Sequence, residues 1–287
     1  MKKHKNKIKN KNNWNKIKIT ISLLTLVIIA YCLFIFANMY NSIYSPTSPK
    51  VDIAHILKKP LLNENDYSLI FTQTGLAKPA VDDLLSQSNG INKVISYQDS
   101  YYTKHKFYVE KLNLFTSQES IMVNSTNNYN SFQIAPLKNG DILLTKSTRT
   151  LYWRHGHCGI VIDASKGITL ESLEPGTISM QQNISKWQSY PTFKLMRLKN
   201  VDQKKLDEIA QYAVKNLTGI GYSMFAKKSK VDKLTSVNCS QLIYQAFIQF
   251  GYDLDCNSGI FITPENIAKS DLLSIVQIYG FNPKKDW

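Results

Sequence analysis

The chain reads as an α+β protein with an antiparallel sheet, carried behind a helix that crosses a membrane. Three observations predict this. Residues 19–37 form an uncharged apolar run, close to the about 20 residues that a helix needs to span a bilayer. Three strand patterns follow one another between Gly140 and Leu173, and two helical patterns come after them, which segregates the helices from the strands. Hydrophobic residues make up 43% and aromatics 11% of 287 residues, which supports a sizeable core and excludes wholesale disorder.

The elements follow in order. The net charge of +14 is concentrated at the front, where residues 1–40 hold eight of the 35 basic residues and no acid. This basic tail (1–18) before the span (19–38) predicts a cytoplasmic N-terminus and an extracytoplasmic remainder, with the membrane as a partner. Only three residues are Arg, the side chain that reads phosphate and guanine bidentately, so nucleic acid is not an expected partner. The long apolar run and the poor cleavage site at Ala37-Asn38-Met39 favour an uncleaved anchor over a signal peptide. Residues 39–60 contain Ser-Pro-Thr-Ser-Pro and read as a linker.

Residues 61–135 read as a helical and irregular lead-in. Asn63 opens one helix, and Pro79 sits in the first turn of another. Two strands are expected at 106–109 and 120–123. Strand patterns at 142–145, 158–162 and 168–173 are separated by turn residues. A helix is expected over 202–217, with Leu206, Ile209, Ala210, Ala213 and Leu217 at helical spacing. A second is expected over 239–250, with Asn238 as N-cap and Gly251 just past its end. A short last helix starts near Thr263-Pro264. The strands-then-helices order predicts helices on one side of the sheet.

Cys239 is the candidate nucleophile. It opens its helix, where unpaired backbone N–H groups and the positive end of the macrodipole favour a thiolate. It also falls on the helix's apolar stripe, the position of a plain buried cysteine. Among five histidines, His4 precedes the span, His55 lies in the linker and His105 in a polar stretch. His155 and His157 remain. His157 opens a strand in which Gly159 shares its face and leaves room beside the imidazole. A hairpin through Ser165 would place Glu171 of the next strand diagonal to His157 and within reach, with Glu174 and Asp163 as alternatives. His155, His157 and Cys158 are too close in sequence for usual zinc spacing, and no CxxC exists, so neither a metal nor a cofactor is expected. Cys158, Cys239 and Cys256 are odd in number outside the span, so at least one thiol is free unless another chain pairs with it. A Cys158–Cys256 disulfide stays open.

Gly140-Asp141-Ile142, His157-Cys158-Gly159-Ile160-Val161, Leu170-Glu171-Ser172 and Asn238-Cys239-Ser240-Gln241-Leu242, in this order, resemble the YiiX-like branch of the NlpC-type cysteine peptidase superfamily. Thr263-Pro264-Glu265 resembles its C-terminal segment. The likeness covers about half the chain, roughly 140–270. It implies a circularly permuted papain-like fold over 136–287, with Cys239 as nucleophile, His157 as general base and Glu171 as the residue that orients it. It implies Tyr222 as a substrate-binding residue near the Cys. The chain departs from the pattern at Ser223, where Asp is expected, and at Asn238, where Tyr is common. The implied activity is cysteine hydrolysis through a thioester, first on an amide of cell-wall peptide. The alternatives are lipid acyl hydrolysis or transfer on the same triad, or a non-catalytic lipid- or peptide-binding module.

Overall fold

The structure is a computed structural model that describes residues 2–39, 43–122, 132–151, 153–228 and 234–287. It divides into two units, residues 1–42 and 43–287. In the first, helix α1 (Lys2–Met39) contains a window, Trp14–Phe34, of mean hydropathy 2.3. It is long and apolar enough to cross a membrane, and the expected span lies within the helix. Cys32 is exposed on it.

The second unit opens with four helices, α2 (Ala54–Leu57), α3 (Glu64–Thr74), α4 (Lys78–Leu85) and α5 (Gly90–Tyr102). Asn63 caps α3 by accepting from the Asp66 N–H, while Asp66 accepts from the Asn63 N–H, so two orphan donors are satisfied reciprocally. Strands β1 (Phe107–Lys111) and β2 (Thr116–Ile121) form a hairpin. Val123, the expected strand end, and residues 40–42 of the linker lie outside the described residues.

Then come β3 (Ile142–Thr145), β4 (Thr148–Thr150), β5 (His157–Asp163), β6 (Ile168–Glu171), β7 (Met180–Asn183), a 3-10 turn (Ile184–Ser189) and β8 (Phe193–Leu198). The chain ends with α6 (Gln203–Leu217), β9 (Gly221–Tyr222), β10 (Ser236–Val237), α7 (Cys239–Ile248), α8 (Pro264–Ala268) and β11 (Leu273–Tyr279). Among the described residues the main sheet has six antiparallel strands in the order β11-β8-β3-β5-β6-β7. A three-stranded sheet, β1-β2-β4, lies beside it in the chain path.

The fold is thus mixed α+β with antiparallel sheets, but helices cover both faces of the main sheet rather than one. Alternation explains it. Ile142, Leu144, Ile160 and Leu170 point into a core shared with α6 and α7. Leu143, Val161, Leu195 and Ile278 point into a second core built from α2 to α5. Every residue of β3 is buried as a result. The lead-in is therefore part of this unit, and Ile53, Ile56 and Leu57 of the expected linker are buried in its core.

Candidate active site

Cys239 begins α7. Asn238 caps the helix by accepting from the Gln241 N–H at 2.8 Å, which leaves the N–H groups of Cys239 and Ser240 without an intrahelical acceptor. α7 packs on β5. That packing brings His157, at the head of β5, to the Cys239 thiol, and the two side chains interact.

Register then supplies the third group. Ile160 stands opposite Leu170, so Glu171 falls beside Gly159 and diagonal to His157. The His157 imidazole meets the Glu171 carboxylate at 2.7 Å between Nε2 and Oε2. Glu171 also accepts from Thr169 Oγ1 at 2.6 Å and Trp187 Nε1 at 2.8 Å. The Trp187 ring stacks on His157, with centroids 5.5 Å apart and planes at 18°. The alternatives to Glu171 are engaged elsewhere: Glu174 accepts from Asn113, and Asp163 from Ser165 and Lys166.

The electrostatics favour an ion pair. The Cys239 thiol lies well below the ordinary range, first because Cys158 hydrogen-bonds to it, and against burial, with His157 adding to the shift. Burial opposes charge on His157, but hydrogen bonds to Cys239 and Glu171 overcome it and raise its pKa to about 9. Burial likewise opposes ionisation of Glu171, and His157 and Thr169 hold it below the usual carboxylate value. A fully buried carboxylate is tolerable here because its oxygens are hydrogen-bonded.

No protein-family model matches the chain, and no curated protein does. Among solved structures it is similar to the crystal structure of metalloprotein yiiX from Escherichia coli O157:H7, DUF1105. The TM-score is 0.40 and the identity 15%, over 49% of this chain and 97% of that one. The chemistry of the site is therefore read from its own residues.

His155, the neighbouring histidine, is occupied: Nε2 lies 2.9 Å from Thr150 Oγ1 and Nδ1 2.7 Å from its neighbour's carbonyl, Gly156 O. Burial pushes its pKa down. It forms a wall of a cavity of about 350 Å³ at Cys239, a role not evident in the sequence. Tyr222 lines the same cavity, and burial raises its phenol pKa. The other walls are chiefly apolar, from Trp153, Met224, Phe225, Phe261, Ile262 and Pro264. Among the described residues no group of three or more His, Cys, Asp or Glu side chains is arranged to hold a metal.

Two further residues were not legible in the sequence. Trp187 comes from the 3-10 turn, with no local signal. Cys158, which the sequence leaves without a role, lies beside Cys239. Cys158 and Cys256 are both free, and Cys158 is fully buried. The Sγ atoms of Cys158 and Cys239 each lie 3.8 Å from Ser240 Oγ. Burial holds Cys158 protonated, its thiol donates to Ser240 Oγ, and its proximity favours the thiolate at Cys239. Cys158→Ala is expected to raise the Cys239 pKa, read as an alkaline shift in the midpoint of iodoacetamide alkylation. An unchanged midpoint would contradict that role.

Gly159 leaves room for Glu171 and Trp187. A Cβ there would sit 2.9 Å from Glu171 Cγ and 3.1 Å from Trp187 Cζ2. Gly159→Ala is expected to destabilise the fold by about 1–3 kcal/mol, the usual cost of overpacking. It should also slow Cys239 alkylation by displacing the carboxylate. Thermal unfolding and alkylation rate check the two effects separately.

Proposed function

We propose that the chain is a membrane-anchored cysteine hydrolase that works through a thioester acyl-enzyme. The supporting observation is that Cys239 lines the cavity while the buried His157–Glu171 pair, joined at 2.7 Å, meets its thiol and favours the thiolate. In the mechanism, the Cys239 thiolate attacks a substrate carbonyl. The N–H groups of Cys239 and Ser240 stabilise the oxyanion. His157, as imidazolium, gives its proton to the leaving group and then takes one from the water that hydrolyses the thioester. Glu171 holds the ring's orientation and charge. The order of the elements, with the His strand before the Cys helix, agrees with a permuted papain-like arrangement. The eight lysines ahead of the span favour an extracytoplasmic domain.

The cavity walls bear on the substrate. Cell-wall peptide was the first expectation, but such peptides carry polar and charged groups that these walls do not match. An aromatic and aliphatic lining favours an apolar acyl chain, the second expectation. The test is acyl transfer from p-nitrophenyl esters of graded chain length, with intact-mass detection of the acyl-enzyme. Octanoyl ester is expected to acylate Cys239 faster than acetyl ester, and Cys239→Ala to give no adduct. Faster reaction with cell-wall peptide amides would restore the first reading. No adduct from either class, with ligand retained in the cavity, would favour a binding module.

A further inference from the structure

We propose that the rim of the cavity is a membrane-docking surface, which sets the mouth of the site against a lipid bilayer. The inference goes beyond the hydrolase reading, because docking does not need Cys239 chemistry.

The rim is continuous through backbone contacts. The β1–β2 hairpin carries Leu114 and Phe115 at its tip, 86% and 60% exposed. Thr116 pairs with Thr150, and the Leu151 N–H donates to the Phe115 carbonyl at 2.9 Å, so the tip abuts the segment that gives Thr150 and Trp153 to the cavity wall. Asn113, also at the tip, donates to Glu174, and the loop that follows Glu174 meets Tyr222 through the Thr177 carbonyl. Beyond Tyr222, Phe225 is 75% exposed. The Lys228 N–H donates to the Ile260 carbonyl, which joins this segment to exposed Ile260 and Phe261.

Single exposed apolar residues are ordinary, but large apolar side chains arranged around the mouth of an apolar cavity are not. Three observations point to lipid as the occupant. The exposed side chains combine aromatic rings with Leu and Ile, the pattern that inserts at a bilayer interface. Exposed Lys111 adjoins the hairpin tip and exposed Lys227 the Phe225 segment, beside the acids Glu110 and Glu174, the latter held by Asn113, so both lysines can meet anionic headgroups. The chain also carries its own helix, α1, long and apolar enough to cross a membrane.

The experiment uses the full chain in vesicles of phosphatidylcholine and phosphatidylglycerol with brominated acyl chains, which quench tryptophan within the bilayer. Trp153 is the reporter, and Trp153→Phe the reference, since Trp14 in α1 is quenched in both. The expected result is a quenched component that Trp153→Phe removes. The pair Phe115→Ser with Phe225→Ser should also abolish it without altering thermal unfolding, because both side chains are exposed. Quenching unchanged by Trp153→Phe overturns the proposal. That holds whether acrylamide then finds Trp153 in water or cross-linking finds it under a second copy of the chain. Failure of the hydrolase reading would appear as an unreactive Cys239 and leave this quenching untouched.

Discussion

Cys239 is expected to alkylate with iodoacetamide at pH values well below those of an ordinary thiol, and to lose that behaviour in His157→Ala. Without the imidazolium the thiolate is less favoured, and its pKa moves up toward the free-cysteine value of about 8.5. Hydrolytic turnover should fall further than alkylation, by about 10²–10⁴-fold, because general acid and base transfer is lost as well. Glu171→Gln keeps a hydrogen-bonding side chain but removes the charge that helps to raise His157. It should lower the alkaline limit of any hydrolytic activity, which is expected near the His157 pKa of about 9 in the native chain. The sign for stability follows from the same shift. The folded pKa lies above the unfolded value of 6.5, so the His157 contribution is fully present below 6.5 and is lost as pH rises through about 9. A Cys239 that is inert, or indifferent to His157, would sink the hydrolase reading.

The parts of this site legible in the sequence are those with local rules. Strand periodicity and a short turn put Glu171 diagonal to His157, and an Asn cap put Cys239 in the first turn of α7. What escaped has non-local causes. β8 contains Lys194 and Arg197, which ordinarily signal an exposed strand, yet all six of its residues are buried. Lys194 donates to the Asp286 carbonyl, and Arg197 is neutralised by Asp141, partners far away in sequence. α5 buries Val94, Tyr97, Gln98 and Tyr101 at helical spacing, but its polar composition hid the stripe. Gln98 is buried because Val51 O and Gln73 Oε1 accept its amide hydrogens. Cys158 faces Cys239 only because α7 packs on β5, a tertiary fact with no signature in either segment.

The largest stability effect is expected from Arg197→Ala. Arg197 on β8 grips Asp141 bidentately, Nε to Oδ1 at 2.6 Å and Nη2 to Oδ2 at 2.8 Å, and reaches Asp83 of α4 at 3.1 Å. It therefore ties the lead-in helices to the centre of the sheet. The Asp141 side chain is fully buried and that of Arg197 is 9% exposed. Truncation strands the Asp141 carboxylate in the interior, at a cost of about 3–5 kcal/mol. For a unit of this size that corresponds to a fall in melting temperature on the order of 10 °C. Arg197→Lys should recover only part, since an ammonium cannot make the paired bonds of the guanidinium. Asp141→Asn combined with Arg197→Met should be milder than Arg197→Ala, because no buried charge is left unpaired. By contrast Lys78→Ala removes an exposed pair with Asp82 and should change stability by less than about 1 kcal/mol. Below the melting transition the Cys239 alkylation profile of Arg197→Ala should match the native one. A melting temperature no lower than that of Lys78→Ala would show that Asp141 finds another partner, and that the pair does not hold the lead-in to the sheet.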